Sequence, residues 1–202
     1  MKLLSIHRSA AGIVMALSAL LLAACASGPT VERVDASNEI ELTDKWNAKD
    51  SRLVAEEMMD DMLGFPWYMD FRFSNQDNMP RVIVQRIRNK SHEHISVETF
   101  INDIKRSLLK SGKIDFVAAG DEREDVRDER QDQELNASAE TAKAMGEEFG
   151  ADYALTGVIN SYVDSVGGKR VTFYQVDLKL IDMLTNREVW LGQKKIQKLM
   201  KN

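Results

Sequence analysis

The sequence predicts a two-layer α/β domain, in which helices lie mainly on one face of a mixed sheet with antiparallel carboxyl-terminal strands. Three observations predict this fold. Strand-like and helix-like patterns follow one another between residues 81 and 196 in the order β-α-β-α-β-β-β. Residues 170–182 alternate between apolar and polar side chains, and Gly167-Gly168 precedes them as a hairpin turn. A hydrophobic content of 44% excludes a disordered chain.

The first predicted element is a helix that runs to about residue 63. Asp50 or Ser51 can cap it, and Gly64-Phe65-Pro66 ends it. The apolar residues that share one face of this helix are Val54, Met58 and Met62.

An aromatic segment follows, with five aromatic residues between positions 65 and 73. Packing under the first helix is one interpretation of this cluster. The other is a surface for a protein partner or a glycan, because clustered aromatic rings supply anchoring area at interfaces. On the second interpretation Trp67 and Tyr68 are candidate partner-binding residues.

A strand, a helix and a short strand are predicted next. Residues 81–87 are rich in β-branched side chains, which favour a strand. Ser96 is placed to cap a helix, with Ile95 and Phe100 as its hydrophobic staple, and Gly112 ends that helix. Residues 114–118 form the second predicted strand.

Residues 121–134 form a charge run of eight acidic and three Arg residues. Such a run indicates a solvated helix face or a mobile loop. A further helix is predicted over residues 137–149, ended by Gly150.

The remaining residues predict three antiparallel strands, over 152–164, 170–182 and 188–196. In the middle strand Tyr174, Val176, Leu178 and Leu180 face one way and predict a covered side. The candidate partner-binding residues of the uncovered side are Phe173, Gln175, Asp177 and Lys179, with Tyr174 beside them at the edge of the strand. Ordinary solvent-facing positions are the alternative interpretation.

The amino-terminal segment has the pattern of a secretory signal. Residues 1–24 carry Lys2 and Arg8, no acidic residue, and an apolar run too short to span a bilayer. The run ends at residues 22–25 with Leu-Ala-Ala-Cys, which resembles the bacterial lipobox. That resemblance implies cleavage before Cys25 and attachment of lipid to its sulfur, and Ala26 implies sorting to the outer membrane.

Three regions are therefore expected: a signal peptide (1–24), a lipid anchor with a disordered tether (25–50) and one α/β domain (51–202). Residues 26–50 can span at most about 85 Å when fully extended. Cleavage removes two positive charges and no negative one, so 25 Lys and Arg face 32 Asp and Glu and the net charge falls from −5 to −7. An acidic chain argues against nucleic acid as a partner.

Motifs for catalysis, metals and cofactors are weak. With Cys25 lipidated, only His92 and His94 remain as imidazole bases in the mature chain, and no glycine-framed Ser precedes a helix. The two His residues lack a third ligand nearby, so a solvated loop is favoured over a metal site. No glycine-rich phosphate loop occurs. We therefore expect no enzyme activity, no metal and no cofactor.

Three segments resemble a known family. They are residues 82–91 with the helix end at 108–112, the sequence GADYALTGVI at 150–159, and residues 171–190. With the lipobox, they resemble the LpoB family over roughly residues 50–200. These are outer-membrane lipoproteins that activate class A penicillin-binding proteins. The wider superfamily that shares the amino-terminal fold of TolB carries a motif similar to the second segment.

The resemblance implies a regulator. Such a lipoprotein is anchored on the periplasmic side of the outer membrane, passes through a gap in the cell wall and docks on a non-catalytic module of the synthase. Docking stimulates glycan polymerisation and cross-linking. Two other functions stay open: a structural or assembly component of an envelope complex, as in TolB-like or curli-secretion-like proteins, and a sensing or carrier module. The lack of a propeller-type repeat argues against TolB itself.

Overall fold

The computed structural model describes residues 31–35, 41, 43–138 and 148–201. The chain divides into two compact units, residues 1–38 and 39–202. In the first unit residues 31–35 are exposed and have no regular secondary structure. The predicted signal peptide, Cys25 and most of the predicted tether lie outside the described residues. Within the described ranges, no helix combines the length and apolar character needed to cross a membrane.

The second unit contains all the described helices and strands, and it confirms the predicted α/β class. In chain order they are α1 (Ala48–Gly64), α2 (Pro66–Ser74), β1 (Arg81–Lys90), α3 (Val97–Ser111), β2 (Asp115–Phe116), α4 (Asp121–Asn136), β3 (Tyr153–Val166), β4 (Lys169–Asp182) and β5 (Glu188–Lys201). The sheet order is β2-β1-β3-β4-β5. Strand β1 is parallel to β2 and β3, whereas β3, β4 and β5 are antiparallel.

The β3–β4 hairpin has the turn that the sequence predicts. Gly167 and Gly168 have φ values of 55° and 75°, a conformation that glycine adopts without steric cost. Pairing is continuous from Val166 opposite Lys169 to Tyr153 opposite Asp182. The strands are longer than predicted, since β3 continues to Val166 and β5 to Lys201.

The core lies between the sheet and the helices α1, α2 and α3. Its largest fully buried side chains are Trp190, Tyr174, Phe100, Met59, Met62, Ile104, Leu108, Leu155, Ile159, Leu178, Leu180 and Val54. Two glycines leave room for large neighbouring side chains, Leu178 over Gly157 and Trp190 over Gly192. A Cβ on Gly157 would lie 2.4 Å from Leu178 Cδ2, and one on Gly192 would lie 2.1 Å from the Trp190 ring. These strands therefore pack closely only because both positions lack a side chain.

Helix α1 begins earlier than predicted. Asn47, rather than Asp50 or Ser51, is the N-cap, and it forms a capping box in which Asn47 Oδ1 accepts from Asp50 N–H at 3.1 Å. The Asp50 carboxylate accepts from Asn47 N–H in return, at 2.9 Å. Asp50 therefore acts at the third helical position.

The caps predicted for α3 are confirmed in position. Gly112 ends this helix with a φ of 64°, and Ile95 and Phe100 are both buried as the staple requires. Ser96 is the N-cap residue, but its hydroxyl lies 2.9 Å from Thr99 Oγ1 and caps no backbone N–H. The staple, rather than a side-chain cap, therefore fixes the start of α3.

The charge run forms helix α4, which has no buried residue. This confirms the solvated-helix interpretation of residues 121–134. Most of the helix predicted over 137–149 lies outside the described residues, and the structure shows no helix at 137–138 or at 148–149.

Candidate partner-binding surface

The face of the sheet opposite α1 and α3 carries the four β4 residues that alternation predicts, and we call it the open face. Phe173, Gln175, Asp177 and Lys179 are half-buried there, whereas the intervening residues of β4 are buried. Their neighbours across β3 are Tyr162, Asn160, Val158 and Thr156. The four candidates therefore share one surface that also includes β3 and β5.

Hydrogen bonds order the polar middle of the open face. Gln175 Nε2 donates to both carboxylate oxygens of Asp177, at 3.0 and 2.9 Å, and Gln193 Nε2 donates to Asp177 Oδ1 at 2.8 Å. Lys179 forms an ion pair with Glu188. Because both amides converge on one carboxylate, Asp177 is held in a fixed orientation before any partner arrives.

An apolar patch occupies the hairpin end of the open face. Tyr162 is 67% exposed and Leu199 is 54% exposed, and both flank the half-buried Phe173. The Tyr162 and Phe173 rings are 6.3 Å apart between centroids. Tyr162 and Leu199 were not predicted as candidates, although a two-residue turn at 167–168 already places Tyr162 opposite Phe173. The patch combines exposed apolar area with a polar surround, as partner-binding surfaces do.

Tyr174 faces the covered side, as alternation predicts, and belongs to the core, so the suggestion that it also helps to form the open face is wrong. Its side chain is fully buried, and its hydroxyl donates to Glu93 Oε1 at 2.5 Å. Burial raises the pKa of the Tyr174 phenol, and the hydrogen bond to the Glu93 carboxylate raises it further. The phenol therefore stays protonated and holds the β1–α3 loop against β4.

Trp67 and Tyr68 are also buried, at 5% and 6% exposure, so the packing interpretation of the aromatic segment describes them. Trp67 Nε1 donates to the Met62 carbonyl at 2.8 Å, and Tyr68 Oη accepts from Arg72 Nη1 at 3.1 Å. Pro66 starts α2, and the helical turn directs both rings into the core. The exposed large apolar residues of this segment are Phe65, Met69 and Phe73.

Residues 43–47, which we call the strap, pack on the domain. Asp44 is only 7% exposed; its carboxylate accepts from Thr172 Oγ1 at 2.5 Å and lies 3.0 Å from Arg170 Nε. The Thr172 hydrogen bond lowers the pKa of the Asp44 carboxyl, and Arg170 lowers it further, against the opposing effect of burial. The strap thus contributes a buried charge with two partners on β4.

Trp46 completes the strap. Its ring meets those of Phe100 and Tyr174 edge-on, with centroids 6.0 and 5.6 Å apart. The backbone N–H of Trp46 donates to Glu93 Oε1 at 2.8 Å. Lys198 Nζ donates to the Lys45 carbonyl, also at 2.8 Å. The prediction that residues 43–50 belong to a disordered tether is therefore wrong: α1 takes in Ala48, and the strap is part of the folded domain.

The two histidines lie in or beside the β1–α3 loop. His92 Nδ1 is 2.6 Å from Ser161 Oγ, and that oxygen accepts from the His92 backbone N–H at 2.9 Å. The His92 ring also stacks near Tyr174, with centroids 6.2 Å apart. This pairing ties the loop to β3. In the described part of the chain, His, Cys, Asp and Glu nowhere gather as a group of three that could hold a metal ion.

Comparison with known proteins gives one family match. The model of the family described as peptidoglycan-synthase activator LpoB matches residues 50–196. The LpoB C-terminal domain from Escherichia coli is 15% identical, with a TM-score of 0.45, and the match covers 74% of this chain and 99% of that one. The Salmonella enterica domain has the same identity and coverage, with a TM-score of 0.42. Lipoprotein GNA1162 from Neisseria meningitidis is 18% identical, with a TM-score of 0.38 and coverage of 61% and 85%. No curated protein matches the chain.

Proposed function

The chain belongs to the LpoB family of peptidoglycan-synthase activators, and from that premise we propose that it binds and stimulates a class A penicillin-binding protein. The match over residues 50–196 carries the proposal, because it runs from the first helix to the last strand. Because the family is described as peptidoglycan-synthase activators, the proposed role is that of a non-enzymatic regulator of cell-wall synthesis.

The proposed location is the periplasmic side of the outer membrane, with lipid on Cys25. The lipobox at residues 22–25 and the signal pattern of residues 1–24 support it. Lipid chains each add about 0.8 kcal/mol per buried methylene, and more than one chain is needed for stable anchoring. Full acylation at Cys25 would meet that requirement.

The open face is the proposed docking surface. Support comes from its apolar patch at Tyr162, Phe173 and Leu199, which lies beside polar groups already ordered around Asp177. An aromatic anchor with a satisfied polar rim is the usual composition of a binding centre. The opposite face cannot serve, because the helices cover it.

The experiment combines the full-length lipoprotein, purified in detergent, with each class A penicillin-binding protein encoded by the same genome. Glycan polymerisation and peptide cross-linking are measured with and without it. We expect at least one synthase to bind the lipoprotein and to show a higher rate of glycan polymerisation or cross-linking in its presence. If none binds and no rate changes, the proposed function is wrong.

The docking surface is tested with the double variant Phe173→Ala/Gln175→Ala. We expect it to stimulate the same synthase much less than the wild-type protein. The control is Phe73→Ala, which removes an aromatic side chain that is 93% exposed on α2, away from the open face. Equal loss in both variants would contradict docking on the open face.

The anchor is tested with Cys25→Ser. This variant should leave the outer-membrane fraction for the soluble one, while the wild-type protein stays with the membrane. A variant that still fractionates with the membrane would exclude lipid on Cys25 as the anchor.

A further inference from the structure

The outer edge of β1 is open along most of its length. Strand β2 has only two residues and pairs with β1 only at Arg81 and Val82, so over residues 83–90 no described strand lies on that side. The Val82 carbonyl accepts from Val117 N–H at 3.3 Å and therefore points away from β3. Val84, two residues on, has the same backbone orientation. Its N–H and C=O are thus available to an added strand.

This edge borders a groove. The groove is lined by β1, helix α3, the loop between β2 and α4, and the first residues of α4, and its volume is about 920 Å³. The apolar side chains that line it are Ile83, Val84, Val97, Ile101, Val117 and Ala119. A groove between an edge strand and a helix suits an extended peptide, because the backbone pairs with the strand and alternate side chains enter the groove.

Charge indicates what kind of peptide would bind. Arg86, Arg88 and Lys90 are exposed along this strand, and no ion pair of theirs occurs within the described ranges. The groove beside them also carries the carboxylates of Glu98, Asp121 and Glu122, of which Glu122 pairs with Lys105 at 2.7 Å. On the opposite edge of the sheet, Lys194 and Lys198 pair with Glu57 and Asp50, each at 2.5 Å. The cations of β1 are therefore available to outside carboxylates. A second copy of this chain is a poor occupant, because both of its sheet edges carry positive residues.

We propose that the free edge of β1 receives an extended, acidic segment of the synthase as an added strand. Arg86, Arg88 and Lys90 bind the carboxylates of that segment, and Val84 pairs with its backbone. This inference rests on the proposed function and adds to it a second contact at the edge of β1. Arg88 and Lys90 share the open face with Asp177 and Gln175, two strands away.

The first test is hydrogen–deuterium exchange on the full-length lipoprotein, alone and with the synthase that it binds. We expect the edge-facing amides of residues 83–90 to exchange at least about tenfold more slowly in the complex. Amides of β5 at the opposite edge serve as the internal control and should change little. Unchanged exchange over residues 83–90 in a saturated complex overturns strand addition.

The second test is the double variant Arg86→Glu/Arg88→Glu, whose side chains are exposed and whose substitution leaves the core intact. We expect its affinity for the same synthase to fall at least about tenfold, because attraction becomes repulsion. The matched control is Arg106→Glu/Lys110→Glu, which makes the same charge change at exposed positions on α3 outside the groove. Its affinity should stay within about twofold of the wild type.

The two proposals fail in different ways. If the wild-type protein binds no class A penicillin-binding protein, the proposed function fails and the strand-addition proposal fails with it. If the wild-type protein binds and stimulates, yet both double variants bind equally well, the acidic partner strand is excluded while the proposed function stands.

Discussion

The two faces of β4 are formed by alternate residues of one strand, yet one face is packed in the core and the other is partly exposed to solvent. On the covered face every side chain meets a fixed neighbour: Leu178 lies over Gly157, and the Tyr174 hydroxyl bonds to Glu93. On the open face Phe173 and Gln175 keep part of their surface in solvent. The difference shows that a β4 residue serves the core or the surface according to whether the helices cover its side of the sheet. Substitutions on the covered face should change folding, and those on the open face should change partner binding.

Removing Trp190 should have the largest effect on folding. Its ring is 2% exposed, lies over Gly192 and donates from Nε1 to Asp61 Oδ2 at 2.8 Å. We expect Trp190→Ala to lower the free energy of unfolding by about 3–5 kcal/mol, measured by urea denaturation. Trp190→Phe keeps most of the buried area and should cost much less. Equal costs would mean that the ring does not fill this space.

Gly157→Ala should have the next largest effect. The added Cβ would lie 2.4 Å from both the Asp177 carbonyl oxygen and Leu178 Cδ2, so the β3–β4 pair must separate locally. We expect a loss of about 1–3 kcal/mol in the free energy of unfolding. Gly150→Ala is the control, because no atom lies within 4 Å of its added Cβ. A stable Gly157→Ala variant would show that the covered face tolerates more volume than its packing indicates.

Asp44→Asn tests the strap, where the covered face reaches the amino-terminal segment. The folded-state pKa of Asp44 lies below the ordinary 3.8, so the carboxylate stabilises the fold above that value. This contribution disappears as the pH falls through 3.8 towards the folded pKa. We expect the variant to lose about 1–3 kcal/mol at neutral pH. The difference from the wild type should shrink below about pH 4 in acid unfolding curves. A constant difference at every pH would exclude the charge as its cause.

Phe173→Ala/Gln175→Ala should have the smallest effect on folding. Both side chains are half-exposed, so we expect the free energy of unfolding to change by no more than about 1 kcal/mol. Stimulation of the synthase should nevertheless fall. A strongly destabilised double variant would remove the contrast between the two faces, since its lost activity would then follow from unfolding.

The helices and strands were predicted correctly where a single local rule determines their position. Period-two alternation identified the faces of β4, and Gly167-Gly168 located the hairpin. The staple at Ile95 and Phe100 and the terminating Gly112 located α3. Each of these signals is local, so it needs no knowledge of distant contacts.

The errors arose where distant residues decide. Tyr174 was named as a candidate beside the open face, but its hydroxyl is held in the core by Glu93, which lies 81 positions away in sequence. Residues 43–47 resemble a polar tether in composition, yet Thr172 on β4, 128 positions away in sequence, donates a hydrogen bond to Asp44. The free edge of β1 was likewise hidden, because only the observed length of β2 shows where pairing stops.

The position of the strap also determines which end of the domain the amino-terminal segment leaves from. It docks beside Thr172 and Tyr174, at the end of the sheet that carries the β3–β4 hairpin. In the proposed anchored state, tension on the lipid therefore enters the fold there and passes into β4. Residues 26–42 lie between Cys25 and the strap, and this number of residues can span at most about 58 Å when fully extended. The apolar patch of the open face lies at this same end of the sheet, so the strap and the proposed docking surface occupy opposite faces of one end of the domain.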